Sequence, residues 1–163
     1  MDYSIGMHDD INTLRRILSE NKVIAVVGLS AQWHRPSYFA AKYMMEHGYR
    51  VIPVNPQYRE VLGQKCYGSL REIPEKVGMV DVFRKTADVM PVAEDAIAIG
   101  ARVFWQQLGV LNEAAAAKAR AAGLETVMDR CVKIEHGRLF GGLNWVGVNT
   151  RVISAKRPRW LAY

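Results

Sequence analysis

The sequence predicts an α/β fold with five parallel strands, and three observations carry that prediction. Short apolar runs recur at residues 23–28, 50–55, 79–83, 102–105 and 124–128. The stretches between most of them carry helix start and stop signals. The first run, 23–28, has no polar side chain, as in a strand buried on both faces, and strands alternating with helices are the sequence form of a parallel sheet covered on both faces.

The leading helix comes first. Asp9 and Asp10 precede Ile11, Leu14, Ile17 and Leu18, a cap followed by apolar residues at helical spacing, and Asn21-Lys22 stops it. The run 23–28 is the first strand. Gly28 and Ser30 at its end turn the chain into a helix that Pro36 opens at its first position and Gly48 closes. The second strand, 50–55, contains Pro53, which cannot donate to a ladder and so belongs where the neighbouring ladder is incomplete. Residues 56–68 read as a loop, and Ser69-Leu70-Arg71-Glu72 matches a capping box for one or two helical turns. After the third strand, Asp88 caps a helix that tolerates Pro91 in its first turn and ends at Gly100. The fourth strand leads to an alanine-rich helix opened by Asn112-Glu113, with Lys118 and Arg120 near its end and Gly123 behind it. Beyond Cys131 the pattern weakens, and the rest reads as an irregular docked extension. Together these elements predict a single Rossmann-like, doubly wound domain over residues 1–163, its core at about 23–135. The expected strand order is 3-2-1-4-5, which puts the ligand crevice beyond strands one and four.

Composition narrows the function. The chain has 163 residues, half of them hydrophobic, enough for a real core. No apolar run approaches the ~20 residues that span a bilayer, and the first ten positions lack the pattern of a secretory signal. A cytoplasmic protein without membrane association is the expectation. Two cysteines, Cys66 and Cys131, make neither a disulfide framework nor a metal site. The net charge of +6 is spread along the chain except for Arg151, Lys156, Arg157 and Arg159 near its end. No groove-reading motif accompanies it, so a polyanionic small molecule is preferred over nucleic acid. Apolar residues in the extension are compatible with a homodimer and equally with core burial.

The parallel arrangement brings polar groups from all five strand ends to one edge. Gly28 and Ser30 follow strand one, Asn55 and Pro56 strand two, Phe83, Arg84 and Lys85 strand three, Trp105, Gln107 and Gly109 strand four, and Asp129, Arg130 and Cys131 strand five. Arg35, Pro36 and Ser37 open the first crossover helix, whose free N–H groups and dipole favour a phosphate. Nicotinamide dinucleotides are disfavoured. The first loop holds only Gly28 of a G-x-G-x-x-G pattern, and Asn55 stands where an acidic residue would bind the ribose. A G-x-x-x-x-G-K-[ST] loop is absent, and Ser30 lacks a G-x-S-x-G elbow. Cys131 beside Arg130 invites a lowered thiol pKa, against the alternative of an inert buried thiol. His34 is the histidine in the site loop.

These strand-end stretches resemble the small CoA-binding proteins similar to the CoA-binding domain of the succinyl-CoA synthetase α subunit. The matching segments are Val27-Gly28-Leu29-Ser30 with Arg35-Pro36-Ser37, residues 48–56, Gly63 with Ser69-Leu70, Val80-Asp81-Val82-Phe83-Arg84, residues 105–109 and Met128-Asp129-Arg130-Cys131. The resemblance implies coenzyme A or an acyl-CoA as ligand. On it, Gly28, Ser30, Arg35 and Ser37 hold phosphates, Asn55 and Pro56 border the adenosine, and Arg84 or Lys85 meets the ribose 3′-phosphate. Trp105, Gln107 and Gly109 then line the pantetheine arm. A binding module without catalysis is the first reading. An enzyme acting on a CoA thioester or nucleotide, using Cys131 or His34, is the second, and a scaffold with a vestigial site the third.

Overall fold

The structure is a computed structural model that describes residues 10–141. The expected cap at Asp9, the extension beyond Gly141 and the basic stretch 151–159 lie outside the described residues. Asp10 caps α1 (Ile11–Glu20), its carboxylate accepting from the N–H groups of Asn12 and Thr13 at 2.9 and 3.0 Å. Leu14, Ile17 and Leu18 form the buried stripe of this helix, as the spacing predicts.

Five parallel strands follow: β1 (Val23–Val27), β2 (Arg50–Val54), β5 (Met79–Val82), β6 (Val103–Gln106) and β7 (Glu125–Val127). The connecting helices are α2 (Pro36–Glu46), α3 (Val89–Ala98) and α4 (Glu113–Ala121). Pro36 is the first residue of α2, and Asn112 caps α4 by accepting from the Ala115 N–H at 2.9 Å. Pro53 is accommodated as expected. It lies on the sheet's edge strand, with its carbonyl turned outward to the Tyr67 N–H.

The order of the strands is β2-β1-β5-β6-β7. The third long strand therefore lies between the first and the fourth, not outside the second as the expected 3-2-1-4-5 arrangement has it; Val26 pairs with Asp81 and Asp81 with Trp105. Handedness explains the difference. α2 covers one face of the sheet, while the connection between β2 and β5 packs Leu70, Ile73 and Val77 on the other. A right-handed crossover on that second face must return past β1. The strand order reverses direction at β1, and the crevice opens beyond β1 and β5.

The connection 55–78 is more structured than a loop. Leu62 and Gly63, both at positive φ, turn a short hairpin of β3 (Glu60–Val61) and β4 (Gln64–Lys65). The capping box forms in altered register: Glu72 accepts from the Gly68 N–H at 3.0 Å, and Ser69 makes no side-chain cap. Asp88 likewise makes no side-chain cap, and a 3-10 turn (Thr86–Asp88) leads into α3 instead. The largest departure is after Cys131. Residues Val132–Phe140 form α5, a regular helix that packs with α1 and α2 on the first face.

Candidate functional site

Gly28 sets the geometry at the switch point. Its φ is +85°, its N–H donates to the Val54 carbonyl at 2.8 Å, and a Cβ there would stand 2.2 Å from the Phe83 carbonyl oxygen. Only glycine allows the β1–α2 loop to pass this close to the end of β5. The Phe83 N–H in turn donates to the Val27 carbonyl at 2.8 Å, so two strand ends are tied together.

Hydroxyls and amides then brace the loop. Ser37, at the start of α2, accepts from the Ser30 N–H at 3.1 Å, and the Ser30 hydroxyl accepts from the Gln32 N–H at the same distance. Asn55 is buried. Its Nδ2 donates to the Leu29 carbonyl at 3.1 Å while its Oδ1 accepts from the Gln57 N–H at 3.0 Å. Its side chain is thus committed to holding two loops together. Arg35, the N-cap residue of α2, makes no side-chain cap bond, and its Nε donates to Gln32 Oε1 at 3.2 Å.

These loops enclose a cavity of about 770 Å³. The sequence-predicted residues that line it are Gly28, Ser30, Arg35, Pro36, Ser37, Asn55, Phe83, Arg84, Lys85, Gln107 and Cys131. Its lining carries three cations: Arg35, Arg84 and Lys85 enter no ion pair among the described residues, and Arg35 is the N-cap residue of α2. The lining also includes the apolar and neutral residues Leu108, Val110, Ile134, Cys131 and Gln107. Uncompensated cations beside a helix N-terminus make a site for an anionic group, and the apolar wall suits a hydrophobic or amide-bearing extension.

Five sequence-predicted residues do not line the cavity. Trp105 is fully buried, its Nε1 donating to the Arg130 carbonyl at 2.8 Å, because on a doubly covered strand its face is core. Gly109 donates its N–H to Asp129 Oδ1 at 2.8 Å, with Gly109 at φ +84° and Asp129 at +55°, so this pair shapes the rim. Arg130 is paired with the fully buried Glu135 at 3.2 Å, and Pro56 points to solvent. Gln32, Gln57, Tyr58, Leu108, Val110 and Ile134 line the cavity without having been singled out. Leu108 stood inside the strand-four motif. Ile134 required knowledge of α5.

The thiol reading is corrected by its surroundings. Burial pushes the Cys131 thiol up, the nearby Asp81 adds to the rise, and Arg130 is engaged with Glu135. Cys131 is thus held as the thiol rather than activated as thiolate. His34 is exposed and outside the cavity. Asp81, buried in the middle of β5, has its carboxyl pushed up to about 7 by burial, offset in part by the Gln107 Nε2 donor at 2.5 Å.

A doubly wound parallel sheet with its crevice at the switch point is a Rossmann-like α/β domain. The family model described as a CoA binding domain matches residues 22–137, so the chain belongs to that CoA-binding domain family. It is 42% identical over 123 residues to the uncharacterized protein YneT of Bacillus subtilis (strain 168), covering 76% of this chain and 91% of that one. A hypothetical protein from Pyrococcus horikoshii OT3 superposes with a TM-score of 0.81 at 44% identity, covering 86% of this chain and all of its own. A shorter match, 41% identity over 58 residues, joins 36% of this chain to 8% of the ADP-forming acetate-CoA ligase I of Archaeoglobus fulgidus. Among the described residues, no helix is long and apolar enough to cross a membrane.

Proposed function

We propose that the chain binds coenzyme A or an acyl-CoA in this cavity as a cytoplasmic binding protein, without chemistry of its own. The observation that carries the reading is the mixed lining of the cavity. It combines the cations Arg35, Arg84 and Lys85 and the start of α2 with the uncharged Leu108, Val110, Ile134 and Gln107. CoA has the matching combination, with phosphates at one end and an amide-rich, weakly polar arm at the other. In this reading Ser30 and Ser37 keep the phosphate loop in place, and Asn55 shapes the wall rather than spending its amide on the ligand. Trp105, Gly109, Asp129 and Arg130 support the rim from behind.

The raised Cys131 thiol and the exposed His34 favour binding over nucleophilic catalysis. Native mass spectrometry of freshly purified protein tests the reading, with a CoA-sized mass adduct as the expected result. A thermal shift that grows with added CoA by mass action is expected beside it. Equal melting curves with and without excess CoA overturn the reading, and turnover of an acyl-CoA panel overturns the non-catalytic part.

A further inference from the structure

Asp81 is not at a strand end. It sits within β5, between Val26 of β1 and Trp105 of β6, and is 1% exposed. It enters no ion pair among the described residues, and its hydrogen-bond partner is Gln107 Nε2 at 2.5 Å. A carboxyl buried in a sheet without a cation is costly, so what it does to Gln107 matters.

Gln107 is itself 3% exposed and lines the cavity. Its backbone is committed, the N–H donating to the Val82 carbonyl at 3.3 Å and the carbonyl accepting from the Val110 N–H at 2.8 Å. Its Nε2 is committed to Asp81. Of its polar heavy atoms, Oε1 is left without a protein partner among the described residues, and it is not sealed inside protein. With Asp81 ionised, as it is above about pH 7, the reverse orientation would set the amide oxygen against a carboxylate, acceptor on acceptor. In that state the carboxylate dictates which end of the amide faces the ligand.

We propose that Asp81 is a positioning residue for the site: by accepting the Gln107 amide N–H it presents the Gln107 carbonyl oxygen to the cavity, where it selects a hydrogen-bond donor on the ligand's arm. The inference rests on the CoA reading above. A CoA arm offers three kinds of such donor: its two amide N–H groups, its secondary hydroxyl and its thiol S–H. An acceptor at the same spot, such as a thioester carbonyl, is disfavoured there, because Leu108, Val110 and Ile134 supply no compensating donor side chain.

Calorimetric titration of the full chain with CoA and with S-methyl-CoA, which lacks the S–H, tests this. Gln107→Met is expected to weaken CoA binding about two- to tenfold, the worth of one hydrogen bond. Equal weakening for both ligands assigns the donor to an amide or the hydroxyl of the arm, and weakening for CoA alone assigns it to the thiol. Asp81→Asn, which lets the amide turn either way, is expected to weaken binding in the same direction while circular dichroism stays unchanged. In the wild type, the Gln107 side-chain ¹³Cδ resonance is expected to move downfield on adding CoA, a signature that needs no variant to fold. If the wild type binds CoA yet both substitutions leave affinity within about twofold, or that resonance does not move, the positioning role is overturned and the CoA reading stands. If the wild type binds no CoA, both fall.

Discussion

On the face covered by α3 and α4 the buried polar side chains are neutral and paired, whereas the face covered by α1, α2 and α5 also buries ionisable ones. The first group comprises Gln106, bonded through both amide atoms to the Asn112 backbone, and Thr126, which accepts from Arg120. Alanines pack between them, Ala93 and Ala96 from α3 and Ala115 and Ala119 from α4. The second face buries the ionisable Asp81, Glu135, His136 and Arg138 beside the neutral Asn21 and Ser37. Both buried side-chain atoms without a partner among the described residues, Asn21 Oδ1 and Arg138 Nε, are on that side as well. Buried charge is poor evidence of stability, since desolvation offsets the attraction. The difference teaches that one face is scaffold, while the face adjoining the cavity retains polar groups at a cost to stability.

Substitutions and pH can break this comparison, and the largest effect expected is at Trp105. If its side chain is core rather than ligand platform, Trp105→Ala costs about 3–5 kcal/mol of unfolding free energy in urea titration. A small cost with selective loss of ligand would return Trp105 to the site. Next is Asp81. Its native carboxyl is raised from 3.8 to about 7, so the native state holds the proton longer than the unfolded chain. The stability this provides is complete below about pH 4 and is lost as pH rises through 7, with a ceiling of roughly 4 kcal/mol. Asp81→Asn is expected to remove that decline. An unchanged slope of stability between pH 5 and 8 in the variant would contradict it.

His136 works in the opposite sense. Burial, His47 and Lys22 lower it from 6.5 to about 4, and it meets the Tyr43 hydroxyl at 3.0 Å between α2 and α5. Its contribution is present above pH 6.5 and lost as pH falls toward 4, on the order of 2 kcal/mol. His136→Phe is expected to flatten the acid limb of the stability curve followed by circular dichroism, and an unaltered limb would remove His136 from the account. The smallest stability effect is expected at the cavity. Arg84→Ala should change unfolding free energy by no more than about 0.5 kcal/mol, because the side chain makes no hydrogen bond or ion pair among the described residues. A larger change would make Arg84 structural.

The strand and helix sequence was legible because local signals agreed: Asp10 and Asn112 as caps, Pro36 at the first helical position, Gly48 and Gly123 as stops. The order of strands was not legible. Segment 55–78 has no long amphipathic helix to say which face it covers, and that face decides where β5 goes. α5 escaped for a related reason, since Glu135, His136 and Arg138 are buried by pairing with one another and with Tyr43, which no hydropathy pattern reveals. Predicted residues adjoining Gly28 line the cavity because a parallel sheet sends every strand end to one edge. Trp105 was misplaced because a strand covered on both faces gives no alternation to tell core from cavity. Tyr58 and Val110 come from connections whose paths needed the tertiary structure.

The central claim is that the cationic residues of the cavity lining hold the phosphates of CoA. Calorimetric titration of CoA into wild type and Arg84→Ala, each at low and at high salt, tests it most directly. The account predicts binding by the wild type that weakens with salt, and weaker, less salt-dependent binding by the variant, with the fold intact in both. Equal affinity and equal salt dependence in the two proteins would contradict it.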